Sequence, residues 1–375
     1  MIRVRVDKLK PGMIVGYPIL REDGVIFVKE GVVLNNTLIN RLQKLGFENI
    51  YIRDSRFPDT DLEEIISHDL RRQALVTLNE TFYQAIKGKE VSLEPLKELV
   101  DGIIEEILSS KKSVVSLVQL RQYDDSVFTH SVNVAALSVF IGKFLGFSRS
   151  QLKTLALGSI MHDLGKIKIP VEILNKPDKL SPKEWELIKK HSSWSAELIT
   201  EKMPEEIESI EIALQHHERM DGSGYPYGLI GEDIHFLSRI CACADVYDAL
   251  TVDRPYRKRF SYAEALEYLM GNSHSLFDLQ VVTTMVRHIA PYPVGEVVKL
   301  TSGETAVVIK LNEGLPIRPV VRVIKDEEGN TLSKPRDIDL MKELAISILC
   351  SGDETAEDFY PSSDISRFKE MDFID

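Results

Sequence analysis

The sequence predicts a multidomain, mainly α protein. An all-helical central domain is flanked by a small N-terminal α+β domain and a small C-terminal β-barrel-like domain. Three observations predict this. From Val114 to about Pro291, apolar residues recur at helical spacing. Before residue 54 they fall instead in short β-branched runs broken by Pro and Gly. After Pro293 the strand pattern returns, with turns at Gly303, Gly314 and Gly329-Asn330. The implied division is an accessory domain over 1–54, a helical linker over 55–112, the central domain over 113–292, the barrel-like domain over 293–345 and an acidic tail over 346–375.

A chain of 375 residues with 43% hydrophobic content can bury more than one core. Its formal charge of -12 argues against general affinity for DNA or RNA duplexes and for anionic membranes. An anionic small molecule remains admissible, because metal ions reverse the sign inside a pocket. Cys241, Cys243 and Cys350 do not form a paired framework, and the C-x-C spacing is too tight for a zinc hairpin. Ile2, Val4 and Val6 alternate with charged residues, which reads as a strand and not as a signal peptide. No apolar run approaches the roughly 20 residues of a membrane helix. The expected location is the cytoplasm, with no membrane partner.

In the N-terminal domain the runs are Val4 and Val6, Met13-Ile14-Val15, Val25–Val28, Val32–Leu34 and Ile50–Ile52. Pro11-Gly12 and Gly31 break them. Asn36 is placed to cap a short helix that stops at Gly46. With no histidine, cysteine or glycine-rich loop, this domain reads as an interaction or sensory module. In the linker, Leu62, Ile65, Ile66 and Leu70, then Leu96, Leu99, Val100, Ile103, Ile104 and Ile107, have helical spacing. Ser92 is a cap, Pro95 fits the first turn, and His68 is expected to face solvent. Such helices can join domains or pair two chains as a homodimer. The tail carries eight acids against Arg367 and Lys369, the composition of a mobile segment.

The central domain carries the chemistry. His130 shares its helix stripe with Val134, Leu137, Ile141 and Leu145, so its ring points inward. His162-Asp163 ends a helix that begins near Ser150, and Gly165 is placed to terminate it. Ser181-Pro182-Lys183-Glu184 is a capping box opening a helix with Trp185, Ile188 and His191 inward. His216-His217 closes the next helix, after Ile207, Ile210 and Leu214. A fifth helix carries Leu237, Cys241, Asp245 and Asp248. Two adjacent imidazoles cannot both face one apolar layer. Burying so many polar groups without a cation costs on the order of 1–3 kcal/mol each. Divalent metals remove that cost by taking the lone pairs, and donors limited to nitrogen and oxygen favour iron, manganese, zinc or nickel over calcium.

His130, His162-Asp163 and Asp245 together resemble the HD superfamily of metal-dependent phosphohydrolases. His191, His216-His217 and the Gly224-Tyr225-Pro226 loop resemble its HD-GYP subgroup, cyclic di-GMP phosphodiesterases. The resemblance covers about residues 113–292. It rests on His162-Asp163-Leu164-Gly165-Lys166-Ile167, on the whole of His216–Pro226 and on Ala244–Thr251. It implies an HD-type helical domain with two divalent ions, iron or manganese. The implied ligands are His130, His162, Asp163, His191, His216, His217 and Asp245, with Asp163 and a hydroxide bridging the ions. One division gives His130, His162 and Asp245 to one ion and His191, His216 and His217 to the other. The implied reaction is attack of the bridging hydroxide on one phosphorus of cyclic di-GMP, giving linear pGpG.

Asp163 and Lys166 are the implied catalytic residues, Lys166 reaching a metal-bound or phosphate oxygen. Gly224, Tyr225, Arg254 and Arg257 are the implied substrate contacts, an arginine fork donating two parallel hydrogen bonds to phosphate. Glu218, Arg219 and Asp221 are expected to orient the loop by hydrogen bonds. Some members with three metals carry a glutamate where this chain has Ser126, and Asp124 and Asp125 are out of phase with it. Two metals and no efficient cleavage of pGpG to GMP are therefore expected. The competing readings are a non-catalytic cyclic di-GMP receptor and a hydrolase of another cyclic dinucleotide.

Overall fold

A computed structural model describes residues 1–20, 25–47, 49–58, 65–86, 94–115, 127–174, 176, 178–252 and 259–351. Ser92, Asp124, Asp125, Ser126, Arg254, Arg257 and most of the acidic tail lie outside the described residues. The N-terminal strands are β1 (Ile2–Arg5), β2 (Ile14–Val15), β3 (Ile19–Leu20) and β4 (Ile26–Val28). The helix α1 (Asn36–Lys44) and β5 (Asn49–Arg53) follow. Strands β1, β5 and β2 form an antiparallel sheet in that order, and β3 pairs with β4. Val6, Val15, Ile19, Leu34, Leu42, Ile50 and Ile52 fill a core between sheet and helix. Two local readings are corrected. Val6 opens a 3-10 turn instead of extending β1. The cap of α1 is Asn35, whose side chain accepts from the Leu38 N–H at 2.8 Å, so Asn36 is the first helical residue. Gly46, at φ +71, supplies the left-handed step that ends the helix.

Ten helices follow among the described residues: α2 (His68–Ile86), α3 (Glu94–Ser109), α4 (Val127–Phe144), α5 (Arg149–Met161), α6 (Val171–Leu174), α7 (Pro182–Lys202), α8 (Ile207–Gln215), α9 (Phe236–Leu250), α10 (Tyr262–Gly271) and α11 (Leu279–His288). One core joins them. Leu75, Leu78, Leu99 and Ile103 of α2 and α3 belong to the same cluster as Leu137, Leu155, Ile240 and Val246. The apolar stripe of the linker is therefore spent inside the chain. His68 does not face open solvent, because its ring packs edge-on against Tyr17 with centroids 5.6 Å apart. Helix α4 is apolar on nearly every side. Its 18 residues and mean hydropathy of 1.3 give it the length and composition of a membrane span, which the sequence reading overlooked. Here 67% of it is buried inside the protein, as the central helix of a bundle must be.

The C-terminal strands are β6 (Val297–Leu300), β7 (Thr305–Lys310), β8 (Val320–Lys325), β9 (Thr331–Asp339) and β10 (Ile348–Ser351). They form one antiparallel sheet in the order β10-β6-β7-β8-β9. This sheet is open, and the barrel-like expectation is corrected accordingly. Val298, Leu300, Ala306, Val308, Val321 and Val323 point to one face, which is covered by Val114, Ala290, Tyr292 and Val294 from the segments flanking the helices. Strand β9 is exposed along most of its length, so no apolar contact draws it round to meet β10. Backbone pairing ties the helical region shut: Val115 donates to the His288 carbonyl at 3.0 Å and accepts from Ala290 at 2.8 Å.

Candidate metal centre

Five helices deliver the site. His130 lies in the first turn of α4, His191 midway along α7 and Asp245 midway along α9. His162-Asp163 and His216-His217 sit where α5 and α8 end. After Asp163 the chain enters a 3-10 turn, Leu164–Lys168. Gly165 is not the left-handed terminator expected from sequence, since it is absent from the positive-φ glycines. Its role is close approach. A Cβ there would stand 2.1 Å from the His191 carbonyl oxygen and 2.7 Å from the Ser195 nitrogen. Its N–H donates to Ser195 Oγ at 2.7 Å. The missing side chain lets the turn holding Asp163 lie directly on α7.

Three rings are fixed by their own helices. His162 Nδ1 lies 2.7 Å from the Ser159 carbonyl, His191 Nδ1 2.7 Å from Ile188 and His216 Nδ1 2.8 Å from Ala213. Each Nδ1–H donates to a carbonyl three residues back, which leaves Nε2 as the lone-pair nitrogen. Those nitrogens converge. His191 Nε2 is 3.3 Å from His216 Nε2 and 3.0 Å from His217 Nε2. The Asp163 carboxylate lies between two sets of rings. Its Oδ1 is 3.4 Å from His191 Nε2, and its Oδ2 is 3.4 Å from His162 Nε2 and 3.6 Å from His130 Nε2. Asp245 Oδ1 is 2.9 Å from His130 Nε2.

Three donor groups result: His191 with His216 and His217, His130 with His162 and Asp245, and His162 with Asp163 and His216. Within each group the donor atoms lie within 4.8 Å of one another. All but His130 are buried. Lone pairs that face each other across 3.3 Å, each ring having already committed its proton to a carbonyl, repel unless a cation stands between them. His162 Nε2 and Asp163 Oδ1 are buried and make no hydrogen bond. Such groups cost free energy unless metal takes them. The donor set therefore fits a divalent metal site.

Three of the four shifted groups, Asp163, Asp245 and His216, have the charge state of a metal ligand. Burial alone would raise the Asp163 carboxyl, but His162 and Lys166 override it and hold it well below the usual carboxylate range. Burial opposes the charge of Asp245 as well, and His130 holds that carboxyl well down. Burial, then the neighbouring His217, pushes His216 well below an ordinary imidazole, so it is a neutral donor. His130 behaves oppositely. Against the effect of burial, its hydrogen bonds to Asp245 and Asp248 lift it to about 10.

The remaining site residues surround this centre. Lys166 Nζ is 2.9 Å from Asp163 Oδ2. The Tyr225 ring stacks on His217 with centroids 4.7 Å apart, and Trp185 meets Tyr225 edge-on at 6.3 Å. At Gly224 a Cβ would lie 2.4 Å from the His217 carbonyl oxygen, so only glycine admits the loop this close. Buried Glu218 accepts from the Tyr227 and Leu229 N–H groups at 2.8 and 2.9 Å. Arg219 donates to the His216 carbonyl at 3.3 Å, and Asp221 accepts from the Ser223 N–H at 2.9 Å.

Sequence reasoning misses two residues of the site, Asp248 and Asn133. Asp248 Oδ2 is 2.7 Å from His130 Nδ1, and its Oδ1 accepts from Asn133 Nδ2 at 2.9 Å. A signal was present: Asp248 follows Asp245 by three residues and Asn133 follows His130 by three, so each shares a helix face with a candidate ligand.

A helical bundle that brings histidines and aspartates from five helices into one buried divalent-metal site defines an HD-type domain. Residues 103–281 match the HD domain family, and residues 297–356 match the KOW domain associated with HD domains. Residues 103–281 thus belong to the HD domain family, and the chain has cyclic-dinucleotide phosphodiesterases among its relatives. It is 36% identical over 265 residues to a cyclic di-GMP phosphodiesterase of Pseudomonas aeruginosa, covering 70% of this chain and 64% of that one. It is 35% identical over 209 residues to the cyclic di-GMP phosphodiesterase response regulator RpfG of Xanthomonas campestris, covering 54% of each. It is 35% identical over 235 residues to the 3'3'-cGAMP-specific phosphodiesterase 1 of Vibrio cholerae, covering 62% of this chain and 54% of that one. The chain thus spans between about half and two thirds of the length of these relatives.

Proposed function

We propose that this chain is a metal-dependent phosphodiesterase that hydrolyses cyclic di-GMP to linear pGpG in the cytoplasm. The observation that carries this reading is the meeting of His130, His162, Asp163, His191, His216, His217 and Asp245 in one buried cluster. The cluster has two halves, and Asp163 turns one carboxylate oxygen toward each. That supports His130, His162 and Asp245 as ligands of one ion, His191, His216 and His217 of the other, and Asp163 as shared. Iron or manganese suits the donors. When bound, such ions neutralise phosphodiester charge and supply a water of lowered pKa. His162 and then Lys166 keep Asp163 anionic, and Lys166 brings a cation to Oδ2. Tyr225 and Gly224 bring the loop against His217, and Glu218, Arg219 and Asp221 hold that loop in place. Arg254 and Arg257 are the proposed phosphate contacts. The net charge of -12 supports a metal-borne attraction for the dinucleotide and none for DNA, RNA duplexes or membrane.

One observation favours a second reading: a relative of comparable identity is named for 3'3'-cGAMP. The test is incubation of the full chain, loaded with iron or manganese under anaerobic conditions, with each cyclic dinucleotide in turn. The expected result is pGpG from cyclic di-GMP, little GMP, and no turnover in Asp163→Ala. Faster cleavage of 3'3'-cGAMP would transfer the assignment to that substrate. Binding of metal and dinucleotide without cleavage would make the protein a receptor.

A further inference from the structure

The sequence places α2 in a linker, and the HD match begins only at residue 103. Yet the Arg71 guanidinium of α2 donates to Asn133 Oδ1 on α4. Asn133 in turn donates from Nδ2 to Asp248 Oδ1 at 2.9 Å, and Asp248 Oδ2 meets His130 Nδ1 at 2.7 Å. We propose that Arg71 is a positioning residue for the metal centre, setting the His130 ring through Asn133 and Asp248. The inference rests on His130 being a metal ligand.

The argument is one of direction. Arginine has donors and no acceptor, so it admits only the oxygen of the Asn133 amide. That fixes the amide: its NH2 must face the other way, toward Asp248. The carboxylate, satisfied on Oδ1, offers Oδ2 to His130 Nδ1–H. The ring is then held with Nε2 facing Asp245 and Asp163. Without the guanidinium, the amide is free to turn its oxygen to the carboxylate, lone pair against lone pair. Water cannot readily substitute, since Asn133 is 2% exposed and Asp248 1% exposed. Helix α2 also begins at His68, which packs on Tyr17 of the N-terminal unit one turn before Arg71. The accessory unit thus bears on the helix that completes the site.

The test is calorimetric titration of the metal-free full chain with manganese, alongside urea unfolding of the same samples. The variants are Arg71→Ala, Arg71→Lys, Asn133→Ala, the double variant Arg71→Ala with Asn133→Ala, and Arg72→Ala as a neighbouring control. Loss of a group that orients a ligand weakens metal binding about 10- to 100-fold. Arg71→Ala is expected to fall in that range and Arg71→Lys to recover part of the loss. Arg72→Ala is expected to match wild type, and the double variant to bind no more weakly than Asn133→Ala alone. If Arg71 only fastens α2 to α4, the urea midpoint falls while manganese affinity is unchanged, and the proposal is overturned. Should Arg71→Ala not fold, Arg71→Met, which keeps the apolar stem, decides by the same criterion. A wild-type chain that binds no manganese or iron would instead overturn the metal reading beneath it.

Discussion

At the scale of single residues, adjacency made the centre readable. His162-Asp163 and His216-His217 are neighbouring polar pairs at the ends of apolar helices, and a lone sequence shows that oddity directly. Asp248 and Asn133 were not readable in the same way. Their role exists only because α4 and α9 pack face to face and bring their i+3 positions together. Gly165 was misread for a related reason: a glycine after a helix resembles a terminator until the neighbouring helix is placed against it. Its packing yields a prediction. In Gly165→Ala the new methyl meets the His191 backbone, which cannot rotate away. The cost should reach about 1–3 kcal/mol in urea unfolding of the metal-free protein. Manganese affinity should fall with it, because Asp163 and His191 are forced apart. An alanine variant as stable and as tight as wild type would refute the close-approach role.

At the scale of elements, signals lying within a few residues of one another were legible. The capping boxes at Ser181 and Ser261 are formed as their sequences require. Helix α5 begins a residue earlier than its apolar pattern indicated, because Ser148 and Gln151 form a third box. The barrel was not legible, since closure depends on whether two distant edge strands meet. Ser181→Ala should cost about 1 kcal/mol and fray the start of the helix that carries His191. Glu184, in the same box, is held down at about 2 by Lys176 and then by the Ser181 backbone. A carboxyl held down in the fold stabilises it above its ordinary value near 4.5 and loses that contribution as pH falls toward about 2. The stability difference between wild type and Glu184→Gln should therefore be constant at neutral pH and vanish near pH 2. A difference that persists in acid would show that packing, and not charge, is responsible.

At the scale of the molecule, the flanking units clasp one another. The Arg3 N–H donates to the Gly295 carbonyl at 2.9 Å, and its guanidinium pairs with Glu296 at 3.0 Å. From the sheet, Arg322 donates to the Arg56 carbonyl at 2.7 Å. Burial opposes the charge on Arg3, and Glu296 overrides it, holding Arg3 above its ordinary value. The two side chains are only 9% and 11% exposed. Removing one partner of such a pair strands the other, so Arg3→Ala should cost about 3 kcal/mol in reversible urea unfolding. The paired replacement of Arg3 and Glu296 by apolar residues should cost much less. No sequence pattern announces this pair, because its members lie 293 residues apart.

The open sheet has a final consequence. Strand β9 closes one side of it and carries Lys334, Pro335 and Arg336 on a largely exposed border. Proline withholds a ladder donor, and Lys334 sets a solvated charge on the same border. That border is thereby guarded against zipping up with its own kind, and crowding of many copies need not end in fibrous aggregates nucleated there.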